Sequence, residues 1–135
     1  MYNAKVEYKM SQSREDYVKY IYEFGQGDRV ANKDIAQGLS VSPASVTEML
    51  KKLAEEELVD LRPYQGVRLT DKGNDLATSL IRKHEVWEYF LVNALGYEKS
   101  EVHDIAEILE HSTPDDMAER LAEFIDYRAD WTAHD

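Results

Sequence analysis

The fold is decided by the stretch Ser42-Pro43-Ala44-Ser45-Val46-Thr47-Glu48-Met49. Ser followed by Pro is a strong start signal for a helix, because Ser caps the first free amides and Pro fits the first helical position. Apolar residues follow at helical spacing and predict a buried stripe. They are Val46, Met49, Leu50 and Leu53. The small polar side chains at the helix start then lie on its exposed face.

Two helical patterns precede this stretch. The first is predicted from Ser13, as its N-cap, to Phe24, with Tyr17, Ile21 and Phe24 on one face. The second runs from Asn32 to Leu39 and has Asn32 as its expected cap. A short helix, a tight turn and the Ser-Pro helix together predict a helix-turn-helix motif.

A hairpin and three further helices are predicted after this motif. Short strands at 58–62 and 67–70 flank the Gly-containing loop Pro63-Tyr64-Gln65-Gly66 and form a wing. A long helix capped by the stretch Thr70-Asp71-Lys72-Gly73 then reaches about Leu95, and further helices cover Ser100 to His111 and Pro114 to Ile125. The polar tail from Arg128 is expected to be loose.

We therefore predict a mainly α fold with two domains. Residues 1–72 form a winged helix-turn-helix DNA-binding domain of three helices and a two-stranded wing. Residues 73–135 form an α-helical domain. Its apolar residues are expected either to pack the core or to supply a dimer interface. They are Leu80, Ile81, Trp87, Phe90, Leu91 and Leu95.

Charge is distributed unevenly along the 135 residues. Residues 1–72 carry 11 basic and 12 acidic side chains, whereas residues 73–135 carry 5 basic and 15 acidic ones. Because phosphate affinity comes from Lys and Arg, DNA binding is expected in the nearly neutral first segment. The acidic segment suits cation binding, although an ordinary solvated surface has the same composition.

Composition also bears on compartment and on metal chemistry. The chain has no cysteine, which excludes disulfides and thiolate metal sites. No apolar run approaches the roughly 18 residues of a membrane helix, and no apolar stretch follows Met1 as in a signal peptide. We therefore expect a cytoplasmic protein with no membrane partner.

The Ser-Pro helix has the properties of a DNA recognition helix. Short polar side chains at its start can contact base edges, and the lysines that follow suit phosphates. In the wing, two arginines, Tyr64 and Gln65 can reach the DNA backbone or the minor groove. The predicted DNA-binding residues are Ser42, Pro43, Ala44, Ser45, Thr47, Lys51, Lys52, Arg62 and Arg68. A solvated amphipathic helix shows the same pattern in isolation, but the ordered helices and hairpin favour double-stranded DNA as the partner.

Carboxylates and histidines recur at helical spacing in the acidic segment. Residues at i, i+3, i+4 and i−4 share one helix face and can converge on one ion. They are Glu107, Glu110, His111 and His103 on one predicted helix, and His84 and Glu88 on the helix before it. These ligands suit Mn(II), Fe(II), Co(II) or Zn(II), and the carboxylates favour Mn(II). Each pair taken separately is more typical of a surface helix.

Several stretches carry a family resemblance: residues 15–23, 41–49 and 66–70 with Gly73, Arg82-Lys83-His84, and Val102-His103-Asp104 running into Leu109-Glu110-His111. On these residues the chain resembles the diphtheria-toxin-repressor family of metal-dependent regulators, and most closely its manganese transport regulators. The resemblance covers roughly residues 14–124. It implies a homodimeric repressor of metal-uptake genes, which binds a palindromic operator and uses its helical domain for metal binding and dimerisation.

The resemblance also implies a ligand assignment. One site uses Asp16, Glu107, Glu110 and His111, and a neighbouring site uses His84, Glu88 and His103. A carboxylate bridging the two sites is an open alternative. Asp16 is assigned by resemblance alone, because its spacing indicates only a first-turn carboxylate.

The chain departs from the family pattern in three places. Iron-responsive members have sulfur ligands where this chain has Asp16 and Glu107, which favours manganese here. Lys19 stands where some manganese regulators have a second acidic ligand, so their two-metal arrangement does not carry over whole. Longer members add an SH3-like domain that lends ligands. This chain ends at Asp135, so we expect it to lack that domain and the His84 site to be completed by water.

Two other classes of function fit parts of the sequence. A winged-helix regulator that senses a small organic ligand needs no metal, and the His and Glu pairs would then be incidental. A metal-dependent hydrolase needs an open coordination site, a positioned base and a substrate cleft. Neither a nucleophile motif nor a Gly-rich phosphate loop occurs, so we expect a regulator and not an enzyme.

Overall fold

The computed structural model describes the backbone of residues 4–126 and the side chains of residues 13–126. The elements are α1 (Ala4–Gly25), α2 (Asn32–Leu39), α3 (Pro43–Glu55), β1 (Val59–Arg62), β2 (Gly66–Leu69), α4 (Asp71–Asn93), a 3-10 turn (Lys99–Glu101), α5 (Val102–Glu110) and α6 (Asp115–Phe124). The predicted mainly α fold, with three helices before a two-stranded wing, is confirmed. The tail from Arg128, expected to be loose, lies outside the described residues.

The chain divides into two compact units, Met1–Thr78 and Ser79–Asp135, and α4 is continuous across the division. A functional boundary after Lys72 stays a prediction. No helix among the described residues is long and apolar enough to cross a membrane.

Helix α1 is longer than its predicted extent. It begins at Ala4, because residues 4–24 contain no Gly or Pro that would interrupt a helix. Ser13 therefore lies inside the helix, and its prediction as N-cap is wrong. Tyr17 and Ile21 are buried as expected, whereas Phe24 is 54% exposed near the helix end, with its ring stacked on Tyr20.

Helices α2 and α3 form the expected helix-turn-helix. The carbonyl of Ala31 accepts the first hydrogen bonds of α2, so Ala31 is the N-cap and the prediction of Asn32 is wrong. The cap of α3 is confirmed, since the Ser42 hydroxyl accepts a hydrogen bond from the Ser45 amide at 3.1 Å. Ser40 makes the turn between the helices in the left-handed conformation.

The stripe of α3 packs into the core of the N-terminal unit. Val46, Leu50 and Leu53 are fully buried and Met49 is partly buried, as the spacing predicts. Residues of α1, α2 and the wing complete this core. They include Tyr17, Val18, Ile21, Ile35, Val59 and Val67.

The wing is an antiparallel pair with Val59 opposite Leu69 and Arg62 opposite Gly66. Val30 bridges to Val67 through two backbone hydrogen bonds of 2.8 and 2.9 Å. Gly66 has a φ of +82°, and a Cβ there would lie 2.4 Å from the Val30 carbonyl oxygen. Only glycine therefore fits at position 66, where the second strand of the wing lies against Val30.

The C-terminal unit is built from the rest of α4 with α5 and α6. A small core joins α4 to α5, with Leu91 and Val102 buried against Val92 and Ile105. Leu80 is also buried, so core packing accounts for it, whereas Leu95 is 57% exposed.

Ion pairs link α4 to α6. The Arg82 guanidinium donates to both Glu119 oxygens at 2.7 and 3.0 Å, and Lys83 Nζ lies 2.8 Å from Asp115 Oδ1. The helix predicted from Ser100 is instead preceded by a 3-10 turn, Lys99–Glu101. In this turn the Glu98 amide donates a hydrogen bond to the Glu101 carboxylate at 3.3 Å.

Candidate metal centre and DNA-reading face

Histidine and carboxylate side chains from α4 and α5 meet inside the C-terminal unit. His84 Nδ1 lies 2.6 Å from Glu110 Oε1. When the Glu110 carboxylate is ionised it can only accept a hydrogen bond, and His84 Nδ1 is then the donor. Both residues are buried, with 7% and 1% of their surfaces exposed. In that arrangement a carboxylate orients a histidine from behind, and Nε2 is the ring nitrogen of His84 that would bind a metal.

The predicted set His84, Glu88 and His103 is brought together. Each of the three offers a ligand atom within 4.8 Å of the other two. His84 Nε2 lies 3.4 Å from Glu88 Oε2, and the rings of His84 and His103 contact edge to face with centroids 4.9 Å apart. One turn of α4 separates His84 from Glu88, which explains why both side chains point the same way.

Glu88 supplies an independent test of whether the residues suit a metal ion. The residue is 3% exposed, and its Oε2 has no hydrogen-bond partner among the described residues. A buried carboxylate oxygen that accepts no hydrogen bond is costly, and a cation bound beside it would remove that cost. The oxygen and imidazole donors suit divalent Mn, Fe, Co or Zn, so the residues present fit a metal.

Glu107 connects the two predicted ligand sets. Its Oε2 lies 3.8 Å from His84 Nδ1 and 3.6 Å from His103 Nε2. His84, Glu107 and Glu110 also offer ligand atoms within 4.8 Å of one another. The predicted ligands that lie on α4 and α5 are thus parts of one continuous cluster inside the C-terminal unit.

His111 and Asp16 complete the predicted ligands. His111 follows α5 directly, and its Nε2 lies 3.8 Å from Glu110 Oε2. Asp16 lies on α1 in the N-terminal unit and is partly buried. Its role as a ligand stays a prediction. The sequence did not predict the contact between His84 and Glu110, because the two residues lie on different helices and spacing along one helix cannot indicate such a contact.

The N-terminal unit presents a polar and basic face. All nine predicted DNA-binding residues are exposed, seven of them in or just before α3 and two in the wing. The start of α3 is held by its own hydroxyls, since Ser42 pairs with Ser45 and the Thr47 hydroxyl donates to the Pro43 carbonyl at 3.1 Å.

The charges of the wing are organised around Asp60. Arg29 forms a short ion pair with Asp60 and donates to the carbonyls of Asp60 and Gly66 at 3.1 Å. This hydrogen bond from Arg29 holds the pKa of the Asp60 carboxyl below its usual value, and the charges of Arg62 and Arg68 act in the same direction. Arg29 was not singled out from the sequence, although it fixes the base of the wing.

A helix-turn-helix with a wing, followed in the chain by a helical unit that holds a partly buried cluster of histidines and carboxylates, defines a metal-binding, DNA-binding regulator. The comparisons with known proteins agree. Residues 9–67 match the iron dependent repressor N-terminal DNA binding domain, and residues 70–130 match the iron dependent repressor metal binding and dimerisation domain. The chain belongs to the iron-dependent repressor family, which confirms the resemblance drawn from the sequence.

Individual relatives support this assignment. Over 119 residues the chain is 37% identical to an uncharacterised HTH-type transcriptional regulator of Methanocaldococcus jannaschii, covering 87% of this chain and 95% of that one. It is 33% identical over 119 residues to the HTH-type transcriptional regulator MntR of Bacillus velezensis, covering 87% and 83%. The solved structure of the manganese regulator SloR is 46% identical, with a TM-score of 0.71. That match covers 85% of this chain and 54% of SloR, so the chain spans about half of that protein.

The family consists of metal-dependent transcriptional regulators that bind DNA and dimerise. The expectation that the chain is a regulator and not an enzyme is therefore confirmed.

Proposed function

We propose that this chain is a cytoplasmic, Mn(II)-dependent repressor of metal-uptake genes, which binds a palindromic operator as a homodimer. The observation that carries the proposal is the partly buried cluster around His84. It contains nitrogen and carboxylate donors, and one of its buried oxygens has no hydrogen-bond partner among the described residues. The carboxylates favour manganese over softer ions, and one solved relative is a manganese regulator.

We assign the ligands in two sets. His84, Glu88 and His103 form one, and Glu107, Glu110 and His111 with Asp16 form the other. Glu107 is suited to bridge them, because its carboxylate lies within 4 Å of both His84 and His103.

Glu110 couples the two sets. One of its oxygens accepts the hydrogen bond from His84, and the other lies 3.8 Å from His111 Nε2. Displacing Glu110 therefore changes the orientation of His84 as well as the second set.

Asp16 makes the cluster a switch in this proposal. It belongs to α1, whose buried face packs in the same core as α2 and α3, so a ligand there links metal binding to the DNA-reading unit. Mn(II), when bound, supplies positive charge and fixed ligand directions to these side chains. Stronger binding to the arrangement that fits DNA shifts an existing equilibrium toward it. The two recognition helices of the dimer are then spaced by about 34 Å, one helical turn of DNA.

Charge gives a second reason for metal dependence. The chain has a formal net charge of −11, and most of it lies after residue 72. Acidic surface repels phosphate, and each bound dication offsets two negative charges. Metal-free protein is accordingly expected to bind DNA weakly.

Calorimetric titration with Mn(II), paired with DNA-binding measurements with and without the ion, tests the proposal. We expect stoichiometric binding and a gain in operator affinity. Glu88→Gln is expected to weaken Mn(II) binding, whereas Glu85→Gln, the same change at an exposed position of α4, is expected to behave as wild type. Absence of Mn(II) binding, or binding with no gain in DNA affinity, would rule the proposal out and favour a regulator of another ligand class.

A further inference from the structure

Trp87 and Thr113 form a hydrogen bond that includes none of the proposed metal ligands. The Trp87 Nε1–H donates to the Thr113 hydroxyl at 2.8 Å, and that hydroxyl donates to the Leu109 carbonyl at 2.6 Å. Trp87 is partly buried and Thr113 is buried. An indole N–H in such surroundings normally finds a partner, whereas an aliphatic side chain at position 87 would need none. The pair therefore ties α4 to the residues that follow α5.

The Leu109 carbonyl lies at the end of α5, where backbone oxygens have no partner inside their helix. It accepts two hydrogen bonds, one from the Ser112 amide at 3.1 Å and one from the Thr113 hydroxyl. Both donors come after His111, which directly follows α5. The two bonds close the chain around His111 into a turn, which we call the His111 turn (residues 109–113).

His111 is the proposed ligand that depends most on this turn. The glutamates of its set, Glu107 and Glu110, lie within α5, where the hydrogen bonds of the helix hold their backbone. His111 lies just beyond the last helical residue, and helix ends fray. Its side chain is only 1% exposed, so the direction of its ring is set by where the turn places its backbone. His111 therefore needs an anchor that the two glutamates do not need.

The Trp87 indole supplies this anchor from the helix that carries other proposed ligands. Trp87 lies three residues after His84 and directly before Glu88 on α4. Its hydrogen bond to Thr113 therefore fixes the His111 turn relative to the helix that positions those two side chains. All of these residues belong to the C-terminal unit.

We propose that Trp87 is a positioning residue of the metal centre, which acts through Thr113 to hold His111 in the place where it can bind an ion. The inference rests on the proposed function, because it takes His111 as a metal ligand. Hydrogen bonds that orient ligands from behind are typically worth about 10- to 100-fold in metal affinity. A ligand held in place before the ion arrives also loses less conformational freedom on binding.

Thr113→Val tests the link, because it keeps the shape of the side chain and removes both hydrogen bonds of the hydroxyl. We expect it to lower Mn(II) affinity by about 10-fold in calorimetric titration. Thr113→Ser keeps the hydroxyl and is expected to restore binding. The titrations are made where thermal unfolding shows every variant to be fully folded, so that a loss of stability alone cannot lower the affinity.

Thr78→Val is the matched control. The Thr78 hydroxyl also donates to the carbonyl four residues earlier, that of Asn74, at 3.0 Å, but Thr78 is exposed on α4. The same change there is expected to leave Mn(II) affinity at the wild-type value.

Trp87→Phe removes the indole N–H and keeps an aromatic ring. It is expected to weaken Mn(II) binding about as much as Thr113→Val does. The double variant is expected to bind no more weakly than Thr113→Val alone, because that single change already breaks the hydrogen bond between the two residues.

Hydrogen exchange of the metal-free protein gives a readout that does not depend on Mn(II). Thr113→Val is expected to speed exchange of the Ser112 amide, inside the His111 turn, by a larger factor than exchange of amides in the middle of α4. Local opening of the turn has this signature, whereas a general loss of stability speeds exchange throughout the unit.

Wild-type Mn(II) affinity of Thr113→Val would overturn the inference and leave the proposed function in place. Failure of Thr113→Ser to restore binding, additive losses in the double variant, or equal acceleration of exchange in the turn and in α4 would also overturn it. If the wild-type protein binds no Mn(II), the proposed function itself fails.

Discussion

The His84 imidazole and the Glu110 carboxylate, 26 residues apart in the chain, meet at 2.6 Å inside the C-terminal unit. The contact joins α4 to the end of α5 through Nδ1 of His84. It also places the oriented Nε2 on the side of Glu88. Because this hydrogen bond joins members of the two proposed ligand sets, we expect metal binding by one set to affect metal binding by the other.

Glu110→Gln is expected to weaken Mn(II) binding to the whole cluster. The amide oxygen can still accept the hydrogen bond from His84, so the metal-free fold is expected to keep nearly wild-type stability. The lost carboxylate charge removes a ligand of one set and a basic partner of the other, which typically lowers metal affinity by about 10- to 100-fold. Calorimetric titration measures the affinity and thermal unfolding the stability. Loss of one binding event with the other unchanged would contradict the coupling.

Glu88→Gln is expected to change stability in opposite directions with and without metal. Without metal, the variant replaces a buried carboxylate oxygen that has no hydrogen-bond partner among the described residues, and its free energy of unfolding is expected to rise by about 1 kcal/mol. With Mn(II) at 100 times its Kd, the wild type gains about 2.7 kcal/mol, and the variant gains less. Thermal unfolding with and without Mn(II) measures both effects. Equal stabilisation of the two proteins by Mn(II) would remove Glu88 from the site.

Gly66→Ala is expected to destabilise the N-terminal unit by about 3 kcal/mol and to impair DNA binding through the wing. It combines a positive φ with a Cβ placed 2.4 Å from the Val30 carbonyl oxygen, and such strain and overlap each cost on the order of 1–3 kcal/mol. Gly27→Ala is the matched control, since its φ is +95° but no atom lies within 4 Å of the added Cβ. It is expected to cost about 1 kcal/mol. Denaturant unfolding of both variants gives the comparison, and equal losses would show that the contact with Val30 is unimportant.

Local signals predicted the N-terminal unit well, because capping and side-chain periodicity act over a few residues. Ser42 and the stripe from Val46 to Leu53 behave as expected for that reason. The predicted start of α1 was wrong, because Ser13 can cap a helix only where the chain before it is not helical. Phe24 follows the periodicity of its helix but lies near its end, where 54% of its surface is exposed.

The residues that meet at the candidate metal centre could be predicted from the sequence, but the contacts they make across α4 and α5 could not. Spacing along α4 pairs His84 with Glu88, and spacing along α5 pairs His103 with Glu107. Which pair faces which depends on how α4 packs on α5, and that packing is set by apolar residues such as Leu91 and Val102. The contacts between His84 and both Glu107 and Glu110 follow from this packing and not from any motif.

Asp60→Asn is expected to lower the Tm at neutral pH by an amount that disappears in acid. The hydrogen bond from Arg29 holds the pKa of Asp60 below its usual value of 3.8. A carboxyl whose pKa is depressed in the folded state stabilises the protein fully above the unfolded-state value, and this contribution is lost as the pH falls through the folded-state pKa. The Tm difference between wild type and variant is therefore constant near pH 7 and shrinks below pH 3.8. Thermal unfolding from pH 7 downward measures it, with Asp75→Asn at an exposed position of α4 as control. A Tm difference that stayed constant into acid would mean that the charge of Asp60 does not stabilise the wing.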